Sequence, residues 1–421
     1  MFGRVAHIRT LTAHMYILHV TRESSNDARY GIGKSLLPVV LALRATGHTV
    51  DILDANVSQA KPCIPLMAWF GMCLHALVRW IIARSGTHKV AANVILEMVA
   101  ERVRQAWAAA EFAAVAKVTH VHCHDPIIAY FYRGFALIKG VTAKWGVTEH
   151  AFGAYAQERL GVPIPPTIAK YLQKWERSAV NSAGWVCAPS HQGLRQLALD
   201  LHLLSDWQKE NVIPVSWHRV WHPKPVLNHY DRDAARRRLG IPENEWVLVA
   251  VGQLLHMKRF PLLIEACGLI SLHRRPYVII LGEGDQTDAM LTANRVGMAD
   301  LVRIEVTDDI GLYFSAADLY ASTSATESFG MANCEAMSFG LPSVCTAVGA
   351  VPEILGDSAW LVGDTPAEIA VALNTLRDDA NLRACYSHKA RQWGLAWPSP
   401  EQVAQDMLEI YSSSSAGEKD Q

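Results

Sequence analysis

The sequence has 421 residues, of which 50% are hydrophobic and 19% charged, and this composition excludes a disordered chain, a collagen-like fibre and a coiled coil. Because one hydrophobic core rarely grows beyond about 300 residues, we expect two domains. The net charge of −1 conceals an asymmetry, since residues 1–220 carry 23 Lys and Arg against 14 Asp and Glu (+9), and residues 221–421 carry 16 against 26 (−10). The excess of basic residues in the first half indicates either that this half faces an anionic surface or substrate, or that an ordinary solvated surface carries this charge without a function. No run of Lys and Arg is interleaved with aromatic residues, so nucleic acid is not an expected partner.

Strand and helix patterns alternate through the first half. An apolar strand over 16–20, a helix over 34–46 and a strand over 48–53 form an opening βαβ unit. Further strands are predicted at 120–124, 144–150, 184–190 and 211–215. This order predicts a parallel sheet with helices on both faces.

Periodicity is lost over residues 217–230, which are rich in Pro, His and Trp, and we place the linker between the domains there. A second strand and helix series follows, with strands predicted at 246–254, 277–284, 301–306, 318–323 and 342–346. Asp308 and Asp309 fall in a loop of this series rather than in a Mg²⁺ site. The predicted fold class is therefore α/β, with two Rossmann-like, doubly wound domains whose strands point their carboxyl ends at a shared cleft, where ligands bind in such sheets.

Cellular location is predicted from cysteine usage and from the lack of long apolar stretches. The eight cysteines contain no CxxC pair, residues 1–14 do not form a convincing secretory signal, and no stretch reaches the roughly 18 apolar residues of a spanning helix. We expect a cytoplasmic protein, and residues 1–14 are either a loose tail or a misassigned start.

A candidate phosphate site follows the strand at 318–323. The segment 327–331, ESFGM, opens a helix that carries a second carboxylate at Glu335. Unpaired N–H groups of Phe329, Gly330 and Met331 would converge on a diphosphate at the helix start, and Gly330 lets the backbone approach. Glu335, about two turns further, would suit two ribose hydroxyls. An ordinary helix cap with a solvated glutamate explains the spacing equally well.

Two adjacent cations form a second candidate contact for phosphate. Gly252 ends a buried strand, and Lys258 and Arg259 precede the next helix. Such cations can face a phosphate leaving group, although a lone Lys-Arg pair is more often a solvated helix start.

These segments together resemble a known family. The stretches GQLLHMKR (252–259), YVIILGEGD (277–285), FSAADLYAST (314–323), ESFGMANCEAMSFGLPSV (327–344) and GAVPEIL (349–355) resemble the C-terminal domain of retaining glycosyltransferases of family 4, which have the GT-B fold. The resemblance is strong over about residues 235–400 and holds in outline over the first half.

The resemblance implies a function for each matching residue of the second half. Glu327 would contact the donor sugar, Glu335 the ribose, and the segment Ser328–Met331 the phosphate. Lys258, on the glycine-bounded turn that begins at Gly252, would contact the pyrophosphate. Gln253 stands where the family usually has an Arg, so Arg259 would have to supply the missing charge.

The first half would contribute the opposite wall of the cleft. A glycine-containing loop at Gly31 and Gly33 resembles the family loop that lies against the donor phosphate, and the same residues are one glycine short of a P-loop. The resemblance implies that His150 lies near the reacting centre, with a core or capping histidine as the alternative. His124 and Asp125 are expected on the acceptor side.

Two further hypotheses concern metal and membrane. His120, His122 and His124 share one strand face, which would suit zinc, but the same HxHD pattern recurs in the family without metal, so no metal and no cofactor are expected. Residues 62–84 are apolar and bounded by cations, which fits either a membrane interface or a buried helix pair. We favour the membrane interpretation, in which the protein binds peripherally to anionic lipid on the inner face of the cytoplasmic membrane.

The sequence as a whole predicts an enzyme with three parts. Residues 1–222 would bind the acceptor, residues 223–395 the nucleotide sugar, and residues 396–421 would form a helix crossing back to the first domain and a polar tail. The expected reaction is the retaining transfer of a hexosyl group from a UDP- or GDP-sugar to a glycan or lipid-linked acceptor, in polysaccharide or glycolipid synthesis. A sugar-nucleotide epimerase of the same fold and a catalytically impaired nucleotide-sugar-binding subunit are the alternatives.

Overall fold

A computed structural model describes residues 14–23, 31–54, 89–154, 166–203, 214–242 and 244–414. The predictions for residues 1–13, for the loop 24–30 and for the apolar segment 62–84 lie outside the described residues. Within the described part of the chain, no helix combines the length and the apolar character needed to cross a membrane.

The first sheet has six parallel strands in the order β2-β1-β3-β4-β5-β6. The strands are β1 (Tyr16–Val20), β2 (Thr49–Leu53), β3 (His120–Cys123), β4 (Lys144–Thr148), β5 (Val186–Ala188) and β6 (Trp217–Arg219). The described helices of this half are α1 (Gly31–Ala45), α2 (Lys89–Ala116), α3 (Pro126–Ile138), α4 (Pro166–Ser182) and α5 (His191–Asp200).

The second sheet also has six parallel strands, in the order β12-β11-β10-β7-β8-β9. The strands are β7 (Val247–Val251), β8 (Tyr277–Leu281), β9 (Val302–Glu305), β10 (Leu319–Ser322), β11 (Ser343–Thr346) and β12 (Trp360–Val362). The helices are α6 (Arg232–Leu239), α7 (Phe260–Gly268), α8 (Thr287–Arg295), α9 (Ile310–Ala316), α10 (Met331–Ser338), α11 (Val351–Leu355), α12 (Pro366–Asp378) and α13 (Ala380–Ala396).

The last helix, α14 (Pro400–Ser413), packs on the first half of the chain rather than the second. Its buried residues Met407, Leu408 and Tyr411 share one core with Ile17 of β1 and Leu43 of α1. A capping box at Ser399 and Pro at its first turn start this helix sharply after the preceding bend.

The two-sheet α/β prediction is confirmed, and the differences concern short edge strands. The strand predicted at 211–215 is wrong where described, because Pro214 and Val215 are in no strand and β6 begins at Trp217, after a turn in which the Trp217 amide donates to the Pro214 carbonyl oxygen. The predicted linker therefore begins inside a strand. The three-residue edge strand β12 was not predicted. Both strands pair on one side only, and their few residues show no alternating pattern.

Candidate functional site

The candidate site lies where β7 and β10 end, at the point where the strand order of the second sheet reverses. Two chain segments meet there: the turn after β7, which contains Lys258, and the loop after β10, which contains Glu327. The Ala325 amide donates to the Met257 carbonyl oxygen at 2.7 Å, which joins the two segments directly. Crevices at such reversal points are the usual ligand sites of doubly wound sheets.

Lys258 and Glu327 form an ion pair at the centre of the site. The Lys258 ammonium donates to Glu327 Oε1 at 2.5 Å, and the Ser324 hydroxyl donates to the same oxygen at 2.7 Å. Both charged side chains are largely buried, with 22% and 14% of their surface exposed. A largely buried ion pair of this kind is held in one geometry and can exchange one partner for a ligand of the same charge.

Two glycines let the backbone close around this pair. A Cβ at residue 349 would lie 2.3 Å from the Glu327 carbonyl oxygen, and a Cβ at residue 252 would lie 3.3 Å from the Lys258 side chain. The Ala350 amide also donates to the Glu327 carbonyl oxygen at 2.9 Å. The positions of the Lys258 and Glu327 side chains therefore depend on glycine at residues 252 and 349.

The start of α10 presents free backbone donors beside Glu327. Gly330 occupies the N-cap position in the left-handed conformation and has no side chain to accept from the first N–H groups, which continue from Met331. The Phe329 side chain is buried against Trp221 and His222, so this residue offers its amide alone. An uncapped helix start with a positive dipole end favours an anion.

Arg259 has partners other than the expected phosphate. Its guanidinium donates to the carbonyl oxygens of Thr323 and Ser324, both at 2.8 Å, and contacts Asp364 at 3.3 Å. Arg259 therefore holds the loop that leads to Glu327 and positions the site through the backbone. The exposed Gln253 adds no charge, which leaves Lys258 as the cation on this turn that faces Glu327.

Glu335 joins the two halves of the chain through an ion pair with Lys34 of α1. The Glu335 side chain is 2% exposed, and burial raises the pKa of its carboxyl group while the nearby Lys34 ammonium lowers it. Because α10 begins at Met331, Glu335 lies about one turn from the helix start rather than the two turns expected. The helices that carry Gly31, Gly33 and Glu335 thus meet across the cleft.

A second pair of contacts crosses the cleft next to Ser328, just before the start of α10. Ser190 Oγ, the N-cap of α5, donates to the Ser328 carbonyl oxygen at 3.1 Å. The carboxylate of Glu353 accepts from the amides of His191 and Gln192 at 2.9 and 2.8 Å. A carboxylate at a helix start is favourable, and here it fixes the first half against the second.

His150 ends β4 on the first-half wall, in a column of buried imidazoles. Its Nε2 lies 2.9 Å from His124 Nδ1, and the other nitrogen of His124 lies 2.9 Å from His19 Nδ1. The ring of His222 stacks on His150 with centroids 5.4 Å apart and meets the Phe329 ring edge to face. The column therefore runs from the core of the first sheet to Phe329, before the start of α10.

The two residues expected on the acceptor side have structural partners. His124 is 5% exposed and bonds to two other histidines. Asp125 accepts from the Ile127 and Ile128 amides as the N-cap of α3 and pairs with the buried Arg102 at 3.1 Å. Helix capping and a buried ion pair therefore account for the carboxylate that the sequence suggested for the acceptor.

His19, His122 and His124 are the described residues best placed to hold a metal ion, with one nitrogen of each within 4.8 Å of the others. His122 and His124 already use both ring nitrogens in hydrogen bonds, and His122 contacts Tyr411 at 2.7 Å and Thr148 at 2.6 Å. The neighbouring His120 bonds instead to Thr119 Oγ1. The expectation of a site without metal stays a prediction.

Several residues of the site were not predicted from the sequence. Ser190 and Glu353 contact backbone groups far away in the chain, and Ser324 donates to the carboxylate of Glu327 three residues later. The sequence motif GAVPEIL did contain a usable signal, because its first residue is the Gly349 that allows contact with Glu327. His19 and His222 carried no signal, since their position in the column depends on strand register and on the linker path.

Comparison with known proteins gives a consistent assignment for the second half. The model of the family described as Glycosyl transferases group 1 matches residues 231–393. A D-inositol 3-phosphate glycosyltransferase from Salinispora arenicola is 33% identical over 199 residues, which cover 43% of this chain and 44% of that protein. An N-acetyl-alpha-D-glucosaminyl L-malate synthase from Bacillus anthracis is 28% identical over 168 residues, 38% of this chain and 44% of that protein. The matched part spans less than half the length of these relatives.

Solved structures match over nearly the whole chain at low identity. Sucrose-phosphate synthase from Thermosynechococcus elongatus superposes with a TM-score of 0.68 at 16% identity, covering 94% of this chain and 98% of that one. WaaG, a glycosyltransferase involved in lipopolysaccharide biosynthesis, gives 0.63 at 13% identity, with 94% and 100% covered. Anabaena HepE, solved in complex with UDP and glucose, gives 0.62 at 16% identity, with 95% and 100% covered. The two sheets have the GT-B fold.

Proposed function

We propose that the chain, whose residues 231–393 match the family model described as Glycosyl transferases group 1, is a retaining glycosyltransferase that needs no metal. It transfers a hexosyl group from a nucleotide-diphosphate sugar to a hydroxyl group of a glycan or lipid-linked acceptor. The observation that carries the proposal is the Lys258–Glu327 pair beside the uncapped start of α10.

Departure of the nucleoside diphosphate is the difficult step, and the site supports it electrostatically. Lys258 and the amides of Phe329 to Met331 would hold the β-phosphate as its bond to the sugar carbon breaks. The departing phosphate oxygen takes the proton of the acceptor hydroxyl, and the new bond forms on the face that the phosphate leaves. Glu327 and His150 would hold the sugar in place, which lowers the barrier through orientation.

Nucleotide recognition would use both sides of the cleft. Glu335 would accept from two ribose hydroxyls, in the place where Lys34 now donates. The bound UDP in HepE and the sugar-nucleotide chemistry implied by the names of the relatives make UDP-sugars the first donors to try, with GDP-sugars second. The +9 charge of residues 1–220 supports an anionic acceptor, such as a lipid-linked one at the cytoplasmic face of a membrane.

A donor screen in EDTA tests the proposal. Release of UDP or GDP from a panel of sugar nucleotides is followed with and without a lipid extract, for the native protein and for Glu327→Gln and Lys258→Met. We expect release with one donor in EDTA, a loss of at least a hundredfold in both variants, as for removal of one transition-state donor, and no change in the exposed Lys389→Met control.

Each other outcome identifies an alternative. Nucleotide binding without release under any condition would point to the impaired subunit, and Gln253→Arg would then be expected to restore turnover. Isotope exchange at C2 of the sugar without transfer would point to an epimerase. Absence of nucleotide binding would disprove the site assignment.

A further inference from the structure

Two neighbouring helices of the first half, α3 and α4, carry an exposed face with a one-sided charge. Residues 126–148 and 166–190 contain six basic residues and one carboxylate, that of Glu176, which is fully buried. The six are Arg133, Lys139, Lys144, Lys170, Lys174 and Arg177. We propose that this face docks on the surface of a bilayer that contains anionic lipid.

The two helices form one continuous surface. Both bury their apolar residues in the same core cluster, on one side of the first sheet. The ring of Trp175 in α4 lies 5.2 Å from that of Phe131 and 5.7 Å from that of Tyr130, both in α3. The guanidinium of Arg133 donates to Ser182 Oγ at 2.7 Å, which joins α3 to the end of α4.

A row of cations occupies the outer side of α4. Lys170, Lys174 and Arg177 follow one another at intervals of four and three residues and are exposed, on the side opposite the buried Leu172 and Ala179. None of the three has an ion-pair or hydrogen-bond partner among the described residues. An exposed row of unpaired cations at helical spacing attracts an anionic surface.

Exposed apolar side chains border these cations at the end of α3. Leu137 and Ile138, in its last turn, are 82% and 73% exposed. The next residue, Lys139, contacts Glu111 of α2 at 3.9 Å, one turn before Val115, which is 82% exposed. Apolar side chains of α2 and α3 therefore lie together at one end of the basic face.

An anionic bilayer matches both parts of this surface. Its charged leaflet attracts the cations, and the boundary between headgroups and acyl chains accepts apolar side chains. A second copy of the chain on a two-fold axis would place the same cations opposite one another. A nucleic acid would pair its phosphates with the cations but would leave Leu137 and Ile138 unmatched.

Docking on this face would place the cleft beside the bilayer. Helix α3 begins at Pro126, next to His124 and Asp125 on the first-half wall of the cleft, and its 13 residues span about 20 Å. It ends at the opposite edge of the sheet, so the face extends along the flank of the domain. A lipid-linked acceptor would then enter the cleft from the side. This use of the face rests on the proposed function, but the docking surface itself does not.

Sedimentation with lipid vesicles tests the docking surface. The vesicles contain phosphatidylcholine alone or phosphatidylcholine and phosphatidylglycerol in equal parts. We expect the native protein to bind the anionic vesicles only, and added salt to weaken the binding. Because one cation at the surface contributes about fivefold to binding, we expect the double variant Lys170→Glu, Lys174→Glu to lose at least about tenfold.

The matched control changes the same charge elsewhere. Arg237 and Arg238 are exposed on α6 in the second half, and the double variant Arg237→Glu, Arg238→Glu is expected to bind the vesicles like the native protein. Equal losses in both double variants would show a response to net charge alone and would overturn the proposal.

A second variant tests the apolar end of the face. We expect Leu137→Ser with Ile138→Ser to weaken vesicle binding several-fold. Because both side chains are exposed, the unfolding midpoint should stay that of the native protein. Native binding to anionic vesicles with this variant unaffected would show that the apolar side chains do not enter the bilayer, which would overturn their part in the proposal.

The remaining outcomes separate this proposal from the proposed function. Absence of vesicle binding, or equal binding to neutral vesicles, would overturn the docking surface. So would anionic binding that Lys170→Glu and Lys174→Glu do not change, as expected if residues 62–84 make the contact, or binding of RNA in place of vesicles. If the native protein binds as expected but releases no UDP or GDP from any donor, the docking surface stands and the proposed function fails alone.

Discussion

Glycine at position 349 sets the position of Glu327 without contacting a ligand. A Cβ there would lie 2.3 Å from the Glu327 carbonyl oxygen, and residue 349 has φ of +52°. We expect Gly349→Ala to shift the Glu327 loop, lower turnover at least tenfold and lower the midpoint of thermal unfolding. Both quantities are measured on the purified variant.

Gly356 provides the control for backbone strain. It has φ of +54°, and its added Cβ would meet no atom within 4 Å. Gly356→Ala therefore carries the cost of placing a side chain at a positive φ, without the steric clash. Equal loss of turnover in both variants would contradict the argument.

At the scale of single residues, the sequence predicted which charged side chains belong to the site better than it predicted which groups these side chains contact. The Lys258 turn and the Glu327 loop were identified from motif spacing, and the structure places them in contact. The expected contact of Arg259 with phosphate stays a prediction, and the backbone carbonyl groups that its guanidinium binds could not be read from the sequence. The hydrogen bond between His19 and His124 depends on register between β1 and β3, which spacing along the chain does not reveal.

Strands β1, β3 and β4 together place His19, His122 and His124 in a core that excludes water. Burial holds the pKa of each well below that of an exposed histidine. Between pH 6.5 and about 5 the unfolded chain binds these protons and the folded chain does not, so stability falls as pH falls. Burial also lowers the pKa of His120 to about 4, and the four protons together give a slope of about 5 kcal/mol per pH unit.

Urea unfolding at pH 7.5, 6.0 and 5.0 measures this slope. His19→Asn removes one of the four sites and is expected to lower the slope by about a quarter. A native slope of less than one proton in this range would show that these histidines are protonated in the folded protein.

Helices α1 and α10 are joined by the Lys34–Glu335 ion pair. Lys34→Met would leave the buried carboxylate without its partner, and we expect a loss of about 3 kcal/mol, at the low end for such pairs. Glu335→Gln in the same background removes the charge and should recover most of it. Denaturation of both single variants and the double variant gives the coupling energy.

The exposed pair of Lys389 and Asp357 is the control for this prediction. Because water screens exposed charges, Lys389→Met is expected to leave the unfolding midpoint unchanged. A loss in Lys34→Met that Glu335→Gln does not recover would assign the effect to packing rather than to charge.

Element predictions succeeded where apolar runs were long. The central strands agree with prediction to within about three residues at each end, because burial on both faces gives a continuous apolar segment. The edge strands β6 and β12 have three residues each and are defined by pairing with β5 and β11. A strand of three residues that pairs with a single strand from another part of the sequence has no recognisable hydrophobic pattern of its own.

The last helix, α14, connects the two halves of the molecule, because it follows the second half in the chain and packs on the first. Trp397 Nε1 donates to the His222 carbonyl oxygen and the Lys224 amide donates to the Pro398 carbonyl oxygen, both at 2.8 Å, so the two connecting segments run together. The helix then packs on apolar residues of β1 and α1. The hydroxyl group of its Tyr411 forms a hydrogen bond with His122.

We therefore expect a chain ending at residue 398 to lose the folded structure of its first half while its second half stays folded. We expect it to aggregate or to bind a hydrophobic dye, because Ile17, Leu43 and their neighbours would be exposed. Gel filtration and dye fluorescence measure this. A chain ending at residue 414, after the described part of the helix, is the control, and equal behaviour of the two chains would contradict the prediction.

The same helix fixes the order in which a ribosome can complete the protein. Residues 231–393 hold their own sheet and can fold once they have emerged, but the earlier half must wait for the last segment to be synthesised. At a usual rate of roughly 5 to 20 residues per second, that interval lasts about ten seconds or more. The nascent first half would be a chaperone client throughout this time, although it is made before residues 231–393.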